Sequence, residues 1–215
     1  MRSRSTTPGR APLLVRVFIP ATLGALGLLF SAQVPPASPG FYVATFATAA
    51  IWFVAWWFYG TRVDLRGSVS IEMGRGVVIG AALIALFIVG ALVVRLIPFL
   101  AGPVDDLLDN MRTGTVLVTL LTLVVNGIGE ELFFRDVAQR ELEKRLARWG
   151  ATIAQVGLYM VVTAAMGVPL LLVAALLVGL SATWESSRSG NLISAITLHL
   201  TWSVGMAFLL PLFIH

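Results

Sequence analysis

The sequence predicts an all-α fold, a polytopic bundle of about seven transmembrane helices with one amphipathic helix on its surface. Three observations carry this expectation. Of the 215 residues, 58% are hydrophobic and only 12% charged, about half the charged fraction of a soluble domain. The apolar residues fall into about seven stretches of near-membrane length, which leaves little chain for a soluble domain. The cationic residues gather in alternate connections. With the N-terminus placed in the cytoplasm, 13 of the 15 Lys and Arg fall on that side: four before the first span, three at 62–75, five at 135–148, and Arg188.

In order, the chain opens with a basic tail, residues 1–16, and the remainder, 17–215, reads as a single transmembrane domain. Val17 to Ala32 is the first span. Its basic start and small residues near Ser31-Ala32 resemble a signal peptide, but an uncleaved helix keeps the later topology consistent and is the reading adopted. Pro and Gly break the chain at 34–40. Phe41 to Tyr59 is the second span, and its aromatic end, Trp52 to Tyr59, is expected as an interfacial belt. The third runs from about Val77 to Leu100, followed by an acidic loop at 99–113 with Asp105, Asp106 and Asp109. The fourth runs from about Thr115 to Phe134. Beyond it, Asp136 to Arg148 alternates charges with Val137, Leu142 and Leu146, the pattern of an amphipathic helix lying along the membrane surface, ended by Gly150. Ala151 to Met166, Leu170 to Trp184 and Asn191 to Phe213 complete the seven, with Val168-Pro169 and Glu185 to Gly190 as turns. The expected location is a multi-pass integral cell membrane protein, N-terminus cytoplasmic and C-terminus on the opposite side.

The absence of Cys excludes disulfides and thiolate metal sites. The high isoelectric point arises from Arg in short connections and reads as topology. No basic patch interleaved with aromatics points to nucleic acid. A small transporter has little support, since no repeat is present and broken helices do not recur in corresponding halves.

The fourth span ends in Glu130-Glu131-Leu132-Phe133-Phe134-Arg135. An acidic residue in hydrocarbon costs roughly 2.5–3.5 kcal/mol on insertion scales, so such residues face a protein interior or a cavity and are functional candidates. On a helix Glu131 and Arg135 stand four apart and can pair. Glu130 stands four from Asn126, and is expected beside that amide. The bland alternative is a plain helix end marking the headgroup boundary. His199 lies roughly 12 Å into the last span and Glu130 roughly 8 Å from the end of its own, at 1.5 Å per residue, so the two reach similar depth if their helices are neighbours. Ser203 follows His199 by one turn. An interhelical hydrogen bond is the bland reading of His199; the glutamate pair at matching depth turns the balance toward a site.

These motifs resemble those of the CPBP family, the type II CAAX intramembrane proteases that include CAAX prenyl protease 2 and lysostaphin-resistance-protein-A-like proteins. Glu130-Glu131-x-x-x-Arg135 is similar to the family's first motif. Ala151 to Thr163 is similar to its second segment, which ends in Phe-x-x-x-His. Gly179 and Arg188 to Leu192 resemble its glycine and short basic turn. Ile196 to Ser203, with His199, resembles its last motif, His-x-x-x-Asn or Asp. The likeness covers about 115–206. Two positions depart. Tyr159-Met-Val-Val-Thr163 stands where the family has Phe-x-x-x-His, with Met166 the position in a shifted register, and Ser203 stands for the Asn. The only other histidine, His215, ends the chain.

The resemblance implies an intramembrane endopeptidase. Glu130 would be the base that activates a water, and Glu131 with Arg135 would orient it or contact substrate. His199 would donate to the oxyanion, with Ser203 as a weaker donor and Thr163 hydrogen-bonding the water. Three strong protein ligands are usual for catalytic zinc, and only Glu130, Glu131 and His199 come within reach. A divalent metal such as zinc is therefore poorly supported by the ligand set, no cofactor is assigned, and a glutamate-activated water is preferred. The incomplete set leaves a second class, a catalytically inactive pseudoprotease that binds or scaffolds in the membrane. The implied partners are membrane lipid and a peptide or membrane protein.

Overall fold

The computed structural model describes residues 12–61 and 68–213. Among them the chain is helical throughout, with no strand. The elements are α1 (Leu14–Gln33), α2 (Pro39–Tyr59), α3 (Val69–Val94), α4 (Pro98–Thr113), α5 (Val116–Glu143), α6 (Arg148–Ala164), α7 (Pro169–Ser189) and α8 (Ile193–Leu212). Local chemistry sets their starts. Ser38 and Ser68 cap α2 and α3 by accepting from Phe41 N–H and Ile71 N–H. Pro39, Pro98 and Pro169 stand at first helical positions, where a missing N–H costs nothing. Gly190 closes α7 at φ 70°, a conformation that favours glycine.

Six helices are long and apolar enough to cross a membrane: α1, α2, α3, α5, α7 and α8. The sequence predicts seven. The difference is α6, whose 17 residues rise about 25 Å against a hydrocarbon core about 30 Å thick. It packs against α1, α5 and α7. The bundle has a basic end, which carries Arg16, Arg75, Arg140, Arg148 and Arg188, and an opposite, acidic end with Asp105, Asp106 and Asp109. Of the cations in the topology count, Arg2, Arg4, Arg10, Arg62 and Arg66 lie outside the described residues.

Two expectations about surface elements are corrected. The segment 99–113 is a helix, α4, which buries Val104 and Leu108 against Ala91 and Val168, leaves Asp106 exposed and pairs the half-buried Asp105 and Asp109 with Arg112. Conversely, 136–148 is no surface helix. It continues α5 to Glu143, and Asp136, Val137, Ala138, Gln139, Glu141 and Leu142 are buried. Partners far away in sequence make that burial tolerable. Asp136 accepts from Trp56 Nε1 (2.9 Å), Thr61 N (2.6 Å) and Thr61 Oγ1 (2.8 Å) and pairs with Arg140. Glu141 pairs with Arg16 at 2.9 Å. Gly150 lies inside α6 and ends nothing.

The aromatic end of α2 is likewise divided. Trp57 and Phe58 are exposed, as a belt requires, but Trp52 is fully buried and stacks on Phe133 with centroids 4.8 Å apart. That stack, with Phe134 and Tyr159, forms the core that holds the end of α5 in place. On the other flank α3 lies along α8 through two glycines four residues apart. A Cβ at Gly76 would stand 2.6 Å from the Ser194 carbonyl, and one at Gly80 would stand 2.8 Å from that of Leu198. Small residues at this spacing let membrane helices approach closely, and here they fix the helix that carries His199.

Candidate active site

At Glu131 the regular hydrogen-bonding of α5 gives way. From Glu131 to Ala138 the helix is π-helical, and Gln139 N–H donates to Phe134 O, five residues back. Wide turns of this kind recur at functional sites. The stretch presents consecutive acids and aromatics inward, so that all eight of its residues are buried.

Glu131 is fully buried and divides its two oxygens between two partners. Oε1 lies 2.7 Å from His199 Nδ1, and Oε2 lies 3.1 Å from Arg135 Nε. The contact with Arg135 is an ion pair without hydrogen-bond geometry, and neither terminal guanidinium nitrogen has a hydrogen-bond partner among the described residues. The guanidinium instead covers the Tyr159 ring, 4.6 Å from its centroid, an arrangement worth about 2 kcal/mol when desolvated. Gly179 leaves room for the Tyr159 ring. A Cβ there would sit 3.3 Å from Tyr159 Cδ1 and 3.7 Å from Arg135 Nη2.

Glu130 faces the other side of the same imidazole. Its Oε2 is 3.9 Å from His199 Nε2 and accepts a hydrogen bond from the Tyr159 hydroxyl at 2.7 Å. One buried histidine thus stands between adjacent glutamates. Because Glu131 can only accept when ionised, Nδ1 carries a proton toward it, which orients the ring and turns Nε2 toward Glu130. Doubly protonated, His199 would donate from both nitrogens, and the cluster of two carboxylates, one guanidinium and one imidazolium would be neutral.

Glu130, Tyr159, Thr163, His199 and Ser203 all line one cavity of about 530 Å³. Thr163 and Ser203 make no hydrogen bond to Glu130 or His199. Met166 also lines the cavity and accepts weakly from Ser31. Glu130 and His199 stand at its polar end, and Phe41, Val104, Val168 and Leu210 line the remainder. Glu131 and Arg135 do not line it. A separate cavity of about 780 Å³ lies beyond them, lined by Thr61, Asp136, Gln139, Arg140 and Arg148 among others and by neither Glu130 nor His199.

Asn126 is also placed differently from expectation. Its amide donates to the Thr45 and Thr122 carbonyls, at 3.1 and 3.0 Å, and not to Glu130. Tyr159 takes that place. Its signal in the sequence was a hydroxyl-bearing ring where the similar family has Phe. A second group escaped sequence reasoning. Glu185, expected in a turn, is fully buried in α7. It binds Arg75 (2.9 Å), Arg188 (2.9 Å) and Ser194 Oγ (2.6 Å), and Arg188 also reaches Glu72, which ties α3, α7 and α8 together at the basic end.

The residues present do not suit zinc. Among the described residues no three of His, Asp and Glu are disposed to hold a metal ion. Both oxygens of Glu131 are engaged, and a guanidinium stands beside them. His215 lies outside the described residues.

Fold and site together define a polytopic helical membrane protein with a buried glutamate–histidine centre at the head of an apolar cavity. Residues 112–205, just under half of the chain, match the family model described as type II CAAX prenyl endopeptidase Rce1-like, and this segment belongs to the CPBP, or CAAX protease 2, family. The matched stretch contains Glu130, Glu131, Arg135, Thr163, His199 and Ser203. No curated protein and no solved structure matches the chain.

Proposed function

We propose that the protein is an intramembrane endopeptidase that hydrolyses a peptide bond with a glutamate-activated water. The observation that carries this reading is the meeting of Glu130 and His199, 3.9 Å apart, at the polar end of a cavity large enough to admit an extended peptide or an apolar side chain. In the proposed reaction a water held by Glu130 adds to the scissile carbonyl carbon while its proton passes to the carboxylate. The oxygen of the resulting tetrahedral intermediate receives a hydrogen bond from Nε2–H of a doubly protonated His199, whose Nδ1–H stays on Glu131, with Ser203 as a second donor. When the C–N bond breaks, Glu130 returns the proton to the leaving nitrogen, so the products are a carboxyl group and an amine and the site is restored. Glu131 holds His199 and Arg135 in register. No step requires a metal.

A second reading, a pseudoprotease that binds or scaffolds in the membrane, is favoured by one observation: Thr163 stands where the family carries its second histidine. One experiment separates the two. A library of single-span peptides in liposomes is incubated with wild type and Glu130→Gln, and new termini are read by mass spectrometry. Cleavage that Glu130→Gln lowers by about 10²–10⁴-fold, the usual range for losing a general base, supports the peptidase. A library left uncut by wild type supports the binding protein.

The proposed orientation puts the basic end, and with it the Glu130 centre, toward the cytoplasm. Reporter fusions after residues 105 and 145 are expected to face opposite sides, with 145 inside. The same side for both overturns this topology.

A further inference from the structure

We propose that Tyr159 does the work of the absent second histidine as the positioning residue of Glu130. The inference rests on the peptidase reading above. Four observations on separate links converge on it. The Tyr159 hydroxyl donates to Glu130 Oε2 at 2.7 Å and has no other hydrogen-bond partner among the described residues. The ring that carries it is immobile: it is buried, lies 4.8 Å from the Phe134 ring, and is covered by the Arg135 guanidinium at 4.6 Å. Gly179 leaves room for that arrangement, since a Cβ there would stand 3.3 Å from the ring. Finally, Tyr159 lines the same cavity as Glu130, His199 and Thr163, so the residue borders the reacting space.

The chemistry follows from which oxygen is occupied. A lone carboxylate on a flexible Glu side chain rotates, and in a cavity of this size it has space to do so. With Oε2 held by a phenol on a fixed ring, Oε1 is the free oxygen and its direction is set. A water bound there loses its proton to Oε1 as its oxygen adds to the carbonyl carbon, and that proton later leaves with the amine nitrogen. Tyr159 keeps its own proton throughout. In a site shielded from water a single such hydrogen bond weighs more than it does in solvent. Position 163, one helical turn along α6 on the same cavity, holds a threonine whose hydroxyl does not reach Glu130. The ring at 159 therefore does from one turn away what a histidine at 163 would do directly.

The test uses the full-length protein in liposomes and the same peptide library, with rates taken on whichever peptide any form cleaves best. Four forms are compared: wild type, Tyr159→Phe, Thr163→His, and the double variant. Tyr159→Phe keeps the ring contacts with Phe134 and Arg135 and removes only the hydroxyl, so its thermal unfolding midpoint should match wild type. Its kcat is expected to fall about 10²-fold, the scale of a misplaced catalytic group, with KM within about twofold. Thr163→His is expected to restore at least about tenfold in the Tyr159→Phe background and to add little to wild type, because one partner already suffices. A merely structural tyrosine would show neither the kcat-only loss nor the rescue. If Tyr159→Phe cleaves as fast as wild type or faster, while Glu130→Gln is dead, Tyr159 is not the positioning residue and the peptidase reading stands. If only Tyr159→Phe cleaves, the hydroxyl blocks Glu130 and the proposal is overturned. If none of the forms cleaves, the peptidase reading falls and takes this role with it.

Discussion

Arg135→Ala is expected to lower stability by about 3–5 kcal/mol, the usual cost of removing one partner from a buried ion pair. The reason lies in where the charges sit. Both side chains of the Arg135–Glu131 pair are fully inaccessible to solvent, so removing the guanidinium leaves a buried carboxylate without its cation. His199 would remain as the only polar partner of that carboxylate, at 2.7 Å. The variant also empties the space above the Tyr159 ring and removes the cation that lies on it. Arg135→Lys should fall between the two. A lysine restores charge, but its ammonium lacks the planar fork that both reaches Glu131 and lies flat on the ring. The measurement is thermal unfolding in detergent, with wild type and both variants side by side. An unchanged midpoint for Arg135→Ala would mean that the buried pair contributes nothing to the fold. A double variant, Arg135→Ala with Glu131→Gln, should be less damaged than the sum of the two single changes, since each removes the partner the other leaves stranded.

Sequence alone made the membrane class, most helix positions and the Glu131–Arg135 spacing legible, because each depends on local pattern. Apolar runs report spans, and two residues four apart on a helix report a shared face. The similar depth of Glu130 and His199 was also readable, since rise per residue needs no knowledge of neighbours. What stayed hidden depends on partners distant in sequence. Charge in 136–143 reads as exposure, yet Asp136 is buried because Trp56 and Thr61, some 75–80 residues earlier, satisfy it. Glu185 reads as a turn for the same reason and is buried because Arg75 reaches it from α3. The Glu130 partner was misread as Asn126 because the amide lies one turn away on the same helix, whereas the phenol that binds it arrives from α6. Part of the cavity's lining was out of reach as well. Val104 and Leu108 come from α4, and α4 has the composition of a loop, with Pro98, Gly102 and Pro103 near its start.

The two adjacent glutamates are expected to separate cleanly under the same substitution. Glu131→Gln should damage both fold and activity, and Glu130→Gln activity alone. Glutamine at 131 keeps a carbonyl oxygen for His199 Nδ1–H, but it cannot balance the buried guanidinium of Arg135. The cation would then be stranded among aromatic rings, a loss again of about 3–5 kcal/mol. The same change weakens the bond that orients His199, so turnover should fall by about 10²-fold or more even in the folded fraction. Glutamine at 130 meets a different situation. Glu130 has no guanidinium in contact; its partners are a phenol at 2.7 Å and an imidazole edge at 3.9 Å. A glutamine oxygen still accepts from Tyr159, and a half-buried carboxylate with no guanidinium in contact is removed. Glu130→Gln should therefore unfold at the wild-type temperature or slightly above it. Unfolding curves in detergent and cleavage rates in liposomes, taken for both variants, make the comparison. Equal destabilisation by the two substitutions would mean that Glu130 is a structural acid like its neighbour, and the division of labour between a working carboxylate and a holding one would have to be abandoned.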